Sequence, residues 1–132
     1  MTTQPLWDNT YFFPTFFRNK WGLFIGLALL VLVLSLIPQK SLPKVGFTRV
    51  DLVVHLAMYA SLAYALSLAL YSHISGPTIT LWKYPVLLGI FGFVIEVLQK
   101  ILPFNRFFTW EDTICNFVGA CSFYLWVHKI RG

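Results

Sequence analysis

Charge is scarce in this chain. Of its 132 residues 11% are Asp, Glu, Lys or Arg, and five are acidic, where a soluble domain carries about a quarter charged residues. That shortage excludes an ordinary water-exposed surface. The ten basic residues give a net charge of +5 but lie between apolar runs rather than in a stripe. This excludes a nucleic-acid-binding face and points to membrane topology and anionic-lipid contact. Cysteine is nearly absent. Cys115 and Cys121 are six positions apart, about 240° round a helix, so they cannot pair with each other and read as apolar core thiols. No CxxC and no cluster with metal-ligand spacing occurs, so the sequence gives no reason to expect a metal or cofactor. It also contains no internal repeat and no low-complexity tract.

What is present is oil. The chain is 58% hydrophobic and 18% aromatic, with a mean hydropathy of +0.70. Its length allows about four spans of ~20 residues with short connections. The first run, "WGLFIGLALLVLVLSLIP" (21–38), has eighteen residues and no charge. A cleaved leader has a shorter apolar core and a small-residue cleavage site, so this run reads as a retained span. The second covers about 50–72, the third about 82–102 and the fourth about 111–128. Pro103 stops the third, and "SHISGPTIT" between the second and third is turn chemistry. Trp21, Trp82, Trp110 and Trp126 lie near run ends, where interfacial aromatics belong. The stretch "YFFPTFFRNK" suits the headgroup region, so residues 1–19 read as an interfacial segment and 20–132 as the membrane domain. The expected fold is all-α, a four-helix transmembrane bundle.

The polar residues are then placed by parity. With four spans, the end of the first, the start of the second, the end of the third and the start of the fourth share one side. Asp51 and His55, then Glu96, Gln99 and Lys100, then Arg106, then Glu111, Asp112 and Asn116 all fall there, and Asp8 is the one acid elsewhere. Asp51, His55 and Tyr59 are spaced i, i+4, i+8; Glu96 and Gln99 i, i+3; Asp112 and Asn116 i, i+4, so each helix presents a polar face. An ionised group deep in a bilayer costs a few kcal/mol, so such groups face a protein interior or a wet cavity and pair. A polar cleft on one membrane face is expected, with Asp51, Glu96, Glu111 and Asp112 balanced by Arg49, Lys100 and Arg106. Gly119, Ala120 and Ser122 would let helices approach closely. If the three bases are spoken for by the cluster, the positive-inside rule puts both termini in the cytoplasm and the cleft outside.

In order, these residues look like a known pattern. "DLVVHLAMYASLAYAL" followed by "GIFGFVIEVLQKILPFNRFFTWEDTICNFVGA" resembles the VanZ-like family of small bacterial membrane proteins. That family carries an acid or base, then His and Tyr at helical spacing, Glu-x-x-Gln, a loop Arg, and Asp-x-x-x-Asn-x-x-Gly. The matching positions are His55, Tyr59, Glu96, Gln99, Arg106, Asp112, Asn116 and Gly119. The loop "PFNRFFTWED" departs from the pattern in being bulkier at Phe104–Asn105 and Trp110–Glu111. The resemblance implies a multi-pass protein of the bacterial cytoplasmic membrane contributing to resistance to teicoplanin-type glycopeptides.

Three mechanisms fit the residues. In the first, Asp51, His55, Tyr59, Glu96, Gln99, Arg106, Asp112 and Asn116 bind an anionic lipid or a lipid-linked cell-wall precursor, with the planar fork of Arg106 on a phosphate. In the second, the same cluster is an intramembrane enzyme on a lipid phosphate or ester, with His55, Glu96 and Asp112 as acid and base. The sequence offers it no nucleophile with a partner, since Ser61 and Ser67 point away from the His55 stripe. The third is a proton-coupled carrier, for which four spans are few without a homo-oligomer. For each residue a bland role stands beside these: His55 bonded structurally to Asp51 or a carbonyl, Glu96 salt-bridged to Lys100 or Arg106, Arg106 snorkelling at a helix end.

Overall fold

The computed structural model describes residues 19–37, 50–71, 73, 81–103 and 109–131, and all the regular structure among them is helical. Four helices follow in order: α1 (Lys20–Leu36), α2 (Val50–Leu70), α3 (Lys83–Ile101) and α4 (Trp110–Arg131). The expected interfacial segment up to residue 18, the loop at 38–49 with Arg49, and the loop at 104–108 with Arg106 lie outside the described residues.

The helix ends follow from local chemistry. Asn19 caps α1, its side-chain oxygen accepting from the Trp21 N–H at 3.2 Å. Thr109 does the same for α4, its Oγ1 accepting from the Asp112 N–H at 3.2 Å. Glu111 and Asp112 in that first turn also favour the positive end of the helix dipole. Prolines set the other boundaries. Ile37 and Leu102, each followed by proline in the sequence, are extended (ψ 129° and 147°) and close α1 and α3, because a following pyrrolidine ring disfavours the α conformation. Pro85 is tolerated inside the first turn of α3, where its missing N–H has no intrahelical partner to lose.

The helices form a ring in the order α1, α2, α4, α3. The broadest contact runs along α2 and α4, followed by α3 with α4 and α1 with α2. Side-chain pairs fix the directions. His55 of α2 meets Asn116 of α4, and Tyr64 meets Trp126 with ring centroids 4.9 Å apart, so α2 and α4 run parallel. Tyr84 of α3 stacks against Phe123 of α4 at 5.3 Å while Glu96 approaches the start of α4, so these two are antiparallel. Lys20 lies over the Tyr71 ring at 5.7 Å, which sets α1 antiparallel to α2. The end of α1, the start of α2, the end of α3 and the start of α4 therefore share one end of the bundle.

Tyr59, Leu62, Ala63, Leu66, Leu88, Ile95, Ala120, Phe123 and Val127 form the core. Gly119 makes the α2–α4 approach feasible: a Cβ there would lie 2.6 Å from the Leu56 carbonyl oxygen and 2.9 Å from Tyr59 Cβ. Large apolar side chains also cover the outside, among them Ile25, Leu29 and Val33 on α1, Leu87, Ile90 and Val94 on α3, and Ile114, Val118 and Leu125 on α4. Helices α2 and α3 are long and apolar enough to cross a membrane; α1 is apolar but shorter. The two cysteines are free, Cys121 exposed and Cys115 half-buried. That corrects the expectation of a core thiol at Cys121.

Candidate functional site

The shared end of the bundle gathers polar side chains from three helices inside it. His55 on α2 is 5% exposed, Glu96 on α3 0% and Asn116 on α4 1%. His55 Nδ1 is 3.0 Å from Asn116 Oδ1 and 3.7 Å from Glu96 Oε1. Asp112, half-buried one turn before Asn116, completes the group: His55, Glu96 and Asp112 each offer a ligand atom within 4.8 Å of the others. The helical period explains the arrangement, because Asp112 and Asn116 are one turn apart on α4 and so face α2 and α3 together.

Two further residues frame the group. Gln99, 2% exposed, donates from Nε2 to the Ser35 carbonyl oxygen at 2.6 Å and so ties α3 to the end of α1. Tyr59, 1% exposed, lies one turn beyond His55. Its phenol and the Asn116 amide meet at Gly92: a Cβ built on that glycine would sit 3.0 Å from both Tyr59 Cζ and Asn116 Nδ2. Gly92 is one turn before Glu96, so the phenol end stands against the wall of the cluster. Its Oη has no hydrogen-bond partner among the described residues.

Of the residues expected to share a site, the structure brings together His55, Glu96, Asp112 and Asn116, with Tyr59 against them and Gln99 beside them, turned to α1. Asp51 is exposed in the first turn of α2. Arg106 lies outside the described residues. Of the acids and bases expected to balance one another, Asp51, Glu111 and Lys100 are exposed, Arg49 and Arg106 lie outside the described residues, and His55 is an ionisable group placed against Glu96. Counting charges at one end of a bundle does not say which helix face each takes. Glu111 and Asp112 are adjacent, about 100° apart round the helix, and cannot both point inward.

The serines take the bland role. Ser61 donates to the Ala57 carbonyl at 2.8 Å and Ser67 to the Tyr64 carbonyl at 2.7 Å, so neither hydroxyl is offered to the cluster. Sequence reasoning missed Ser35, whose contribution is a backbone carbonyl and leaves no trace in residue type. It also missed Gly92, although a small residue four positions before Glu96, on the same polar face, was a readable sign of something bulky opposite. No protein-family model, curated protein or solved structure matches the chain.

Proposed function

We propose that the chain is a multi-pass membrane protein of VanZ-like type whose polar interior binds an anionic headgroup, of a lipid or a lipid-linked cell-wall precursor. One observation carries this reading. The bundle is polar where a soluble protein is apolar and apolar where a soluble protein is polar: His55, Glu96, Gln99 and Asn116 are buried while Ile25, Leu29, Val33, Leu87, Val94, Val118 and Leu125 are exposed. In water a continuous apolar exterior is an aggregation liability. In a bilayer it is the matching surface, and polar side chains belong inside. In this reading all four helices span the bacterial cytoplasmic membrane, with both termini in the cytoplasm and the cluster opening to the outer face. Arg106 lies in the sequence between the ends of α3 and α4 that carry Glu96 and Asp112, and its guanidinium is the phosphate ligand. Occupying the headgroup of a wall precursor is the route by which the protein would lower glycopeptide action at the cell surface.

The test separates a phosphate site from an internal ion pair. Exchanging Glu96→Arg with Arg106→Glu keeps a pair but puts an anion where the ligand's anion belongs. Arg106→Lys keeps the charge and loses the bidentate fork. In a sensitised host both variants are expected to lose teicoplanin tolerance while melting in detergent like the parent. Tolerance retained by a folded exchange variant would defeat the anion site.

A further inference from the structure

We propose that the end of the bundle opposite the polar cluster is a docking surface for anionic phospholipid, held by Lys83 and Lys129. The start of α1, the end of α2, the start of α3 and the end of α4 meet there. Lys83 opens α3 and lies over the Tyr84 ring, 5.2 Å from its centroid. Lys129, in the last turn of α4, lies over the Trp126 ring at 6.0 Å. Each ring is itself fixed by a neighbouring helix, Tyr84 by Phe123 at 5.3 Å and Trp126 by Tyr64 at 4.9 Å. A ring attracts an ammonium through its quadrupole without cancelling the charge. Two cations are thus held on adjacent helices, and both side chains are exposed.

Two independent observations say what kind of partner fits. The first is charge. The acids among the described residues, Asp51, Glu96, Glu111 and Asp112, all belong to the other end of the bundle. Among the described residues nothing at this end therefore neutralises Lys83 or Lys129, and the exposed His73 and His128 add no negative charge. The second is depth. Trp21, Tyr71 and Trp82 are exposed at the same end, and Trp and Tyr settle at headgroup level, where one side of the ring is apolar and the other wet. Rings at that level put the two ammonium groups beside lipid phosphates. A soluble anion would meet the charge and leave the rings in water, whereas a phospholipid covers both. The surface rests on the membrane part of the reading above and is separate from the headgroup site in the cluster. With both termini in the cytoplasm it faces the cytoplasmic leaflet, whose anionic lipids attract nearby lysines.

The experiment reconstitutes the full chain in bilayers of phosphatidylcholine and phosphatidylglycerol, one or the other carrying brominated acyl chains. Quenching of tryptophan fluorescence then gives the relative affinity for the two lipids. The parent is expected to prefer phosphatidylglycerol, and the preference to weaken as salt is raised. It is expected to fall about two- to fivefold in Lys83→Gln and in Lys129→Gln. It should survive in Lys83→Arg, which keeps the charge, and in Lys100→Gln, which removes the same charge at the other end. Circular dichroism reports that each variant is folded. Equal preference in the parent and both glutamine variants overturns the surface. An equal loss in Lys100→Gln also overturns it, because the preference then follows net charge alone. Asp112→Asn separates the two lipid sites, since it is expected to keep the preference. A preference lost in Asp112→Asn and kept in the lysine variants overturns this surface and leaves the headgroup reading standing. A preference lost in the lysine variants alone supports the surface whether or not the cluster retains a lipid.

Discussion

His55 and Asn116, sixty-one residues apart, share a buried hydrogen bond of 3.0 Å between Nδ1 and Oδ1. It joins α2 to α4 at the end of the bundle where the acids gather, and it orients the imidazole toward Glu96. Removing one partner leaves the other buried without it. Interhelical side-chain hydrogen bonds in membrane proteins average about 0.6 kcal/mol and reach about 1.7. Asn116→Ala and His55→Ala are therefore each expected to lower stability by about 1–2 kcal/mol, with a coupling of at least 0.5 kcal/mol in the double variant. Strictly additive losses in a double-mutant cycle, read from unfolding in detergent or lipid discs, would show that the two side chains do not interact.

Tyr59 behaves differently. Since its Oη has no hydrogen-bond partner among the described residues, Tyr59→Phe removes a buried polar atom and no bond. Stability of the purified protein is expected to stay level or rise by up to about 1 kcal/mol. A loss of more than about 1 kcal/mol on chemical unfolding would mean that the hydroxyl is already satisfied.

The α2–α4 seam depends on Gly119. An added methyl would meet the Leu56 carbonyl at 2.6 Å, and a backbone oxygen cannot move without moving the helix. Gly119→Ala is expected to cost about 1–3 kcal/mol, the range of overpacked cores. Val118→Ala, at an outward-facing position, is the control and is expected to stay within about 0.5 kcal/mol. Equal effects of the two would contradict the close approach.

Orientation is accessible through cysteine chemistry. In a Cys115→Ala, Cys121→Ala background, a cysteine introduced in the 39–48 stretch is expected to react with a membrane-impermeant maleimide on intact cells. Labelling only after lysis would reverse the topology and move the cluster to the cytoplasmic face.

The sequence exposed much of the fold. Apolar runs and the prolines bound all four helices to within a few residues, because each signal is local: Pro103, for one, stops the helix before it. Parity alone put His55, Glu96, Asp112 and Asn116 at one end of the bundle, and the structure joins them there. Which faces turn inward was legible only where a helix carried one polar stripe. On α4 the adjacent Glu111 and Asp112 competed, and the exposed position of Glu111 depends on where α2 and α3 lie. Gln99 reaches a backbone carbonyl of α1, a helix with no polar stripe to announce the contact.

The central claim is that the buried cluster is a site for a ligand rather than internal glue, and native mass spectrometry of protein released from lipid discs tests it most directly. The parent is expected to carry a phosphate-bearing lipid that survives mild activation. Asp112→Asn and Arg106→Lys, folded and equally helical, are expected to lose it. Equal lipid retention by the parent and both variants would contradict the account.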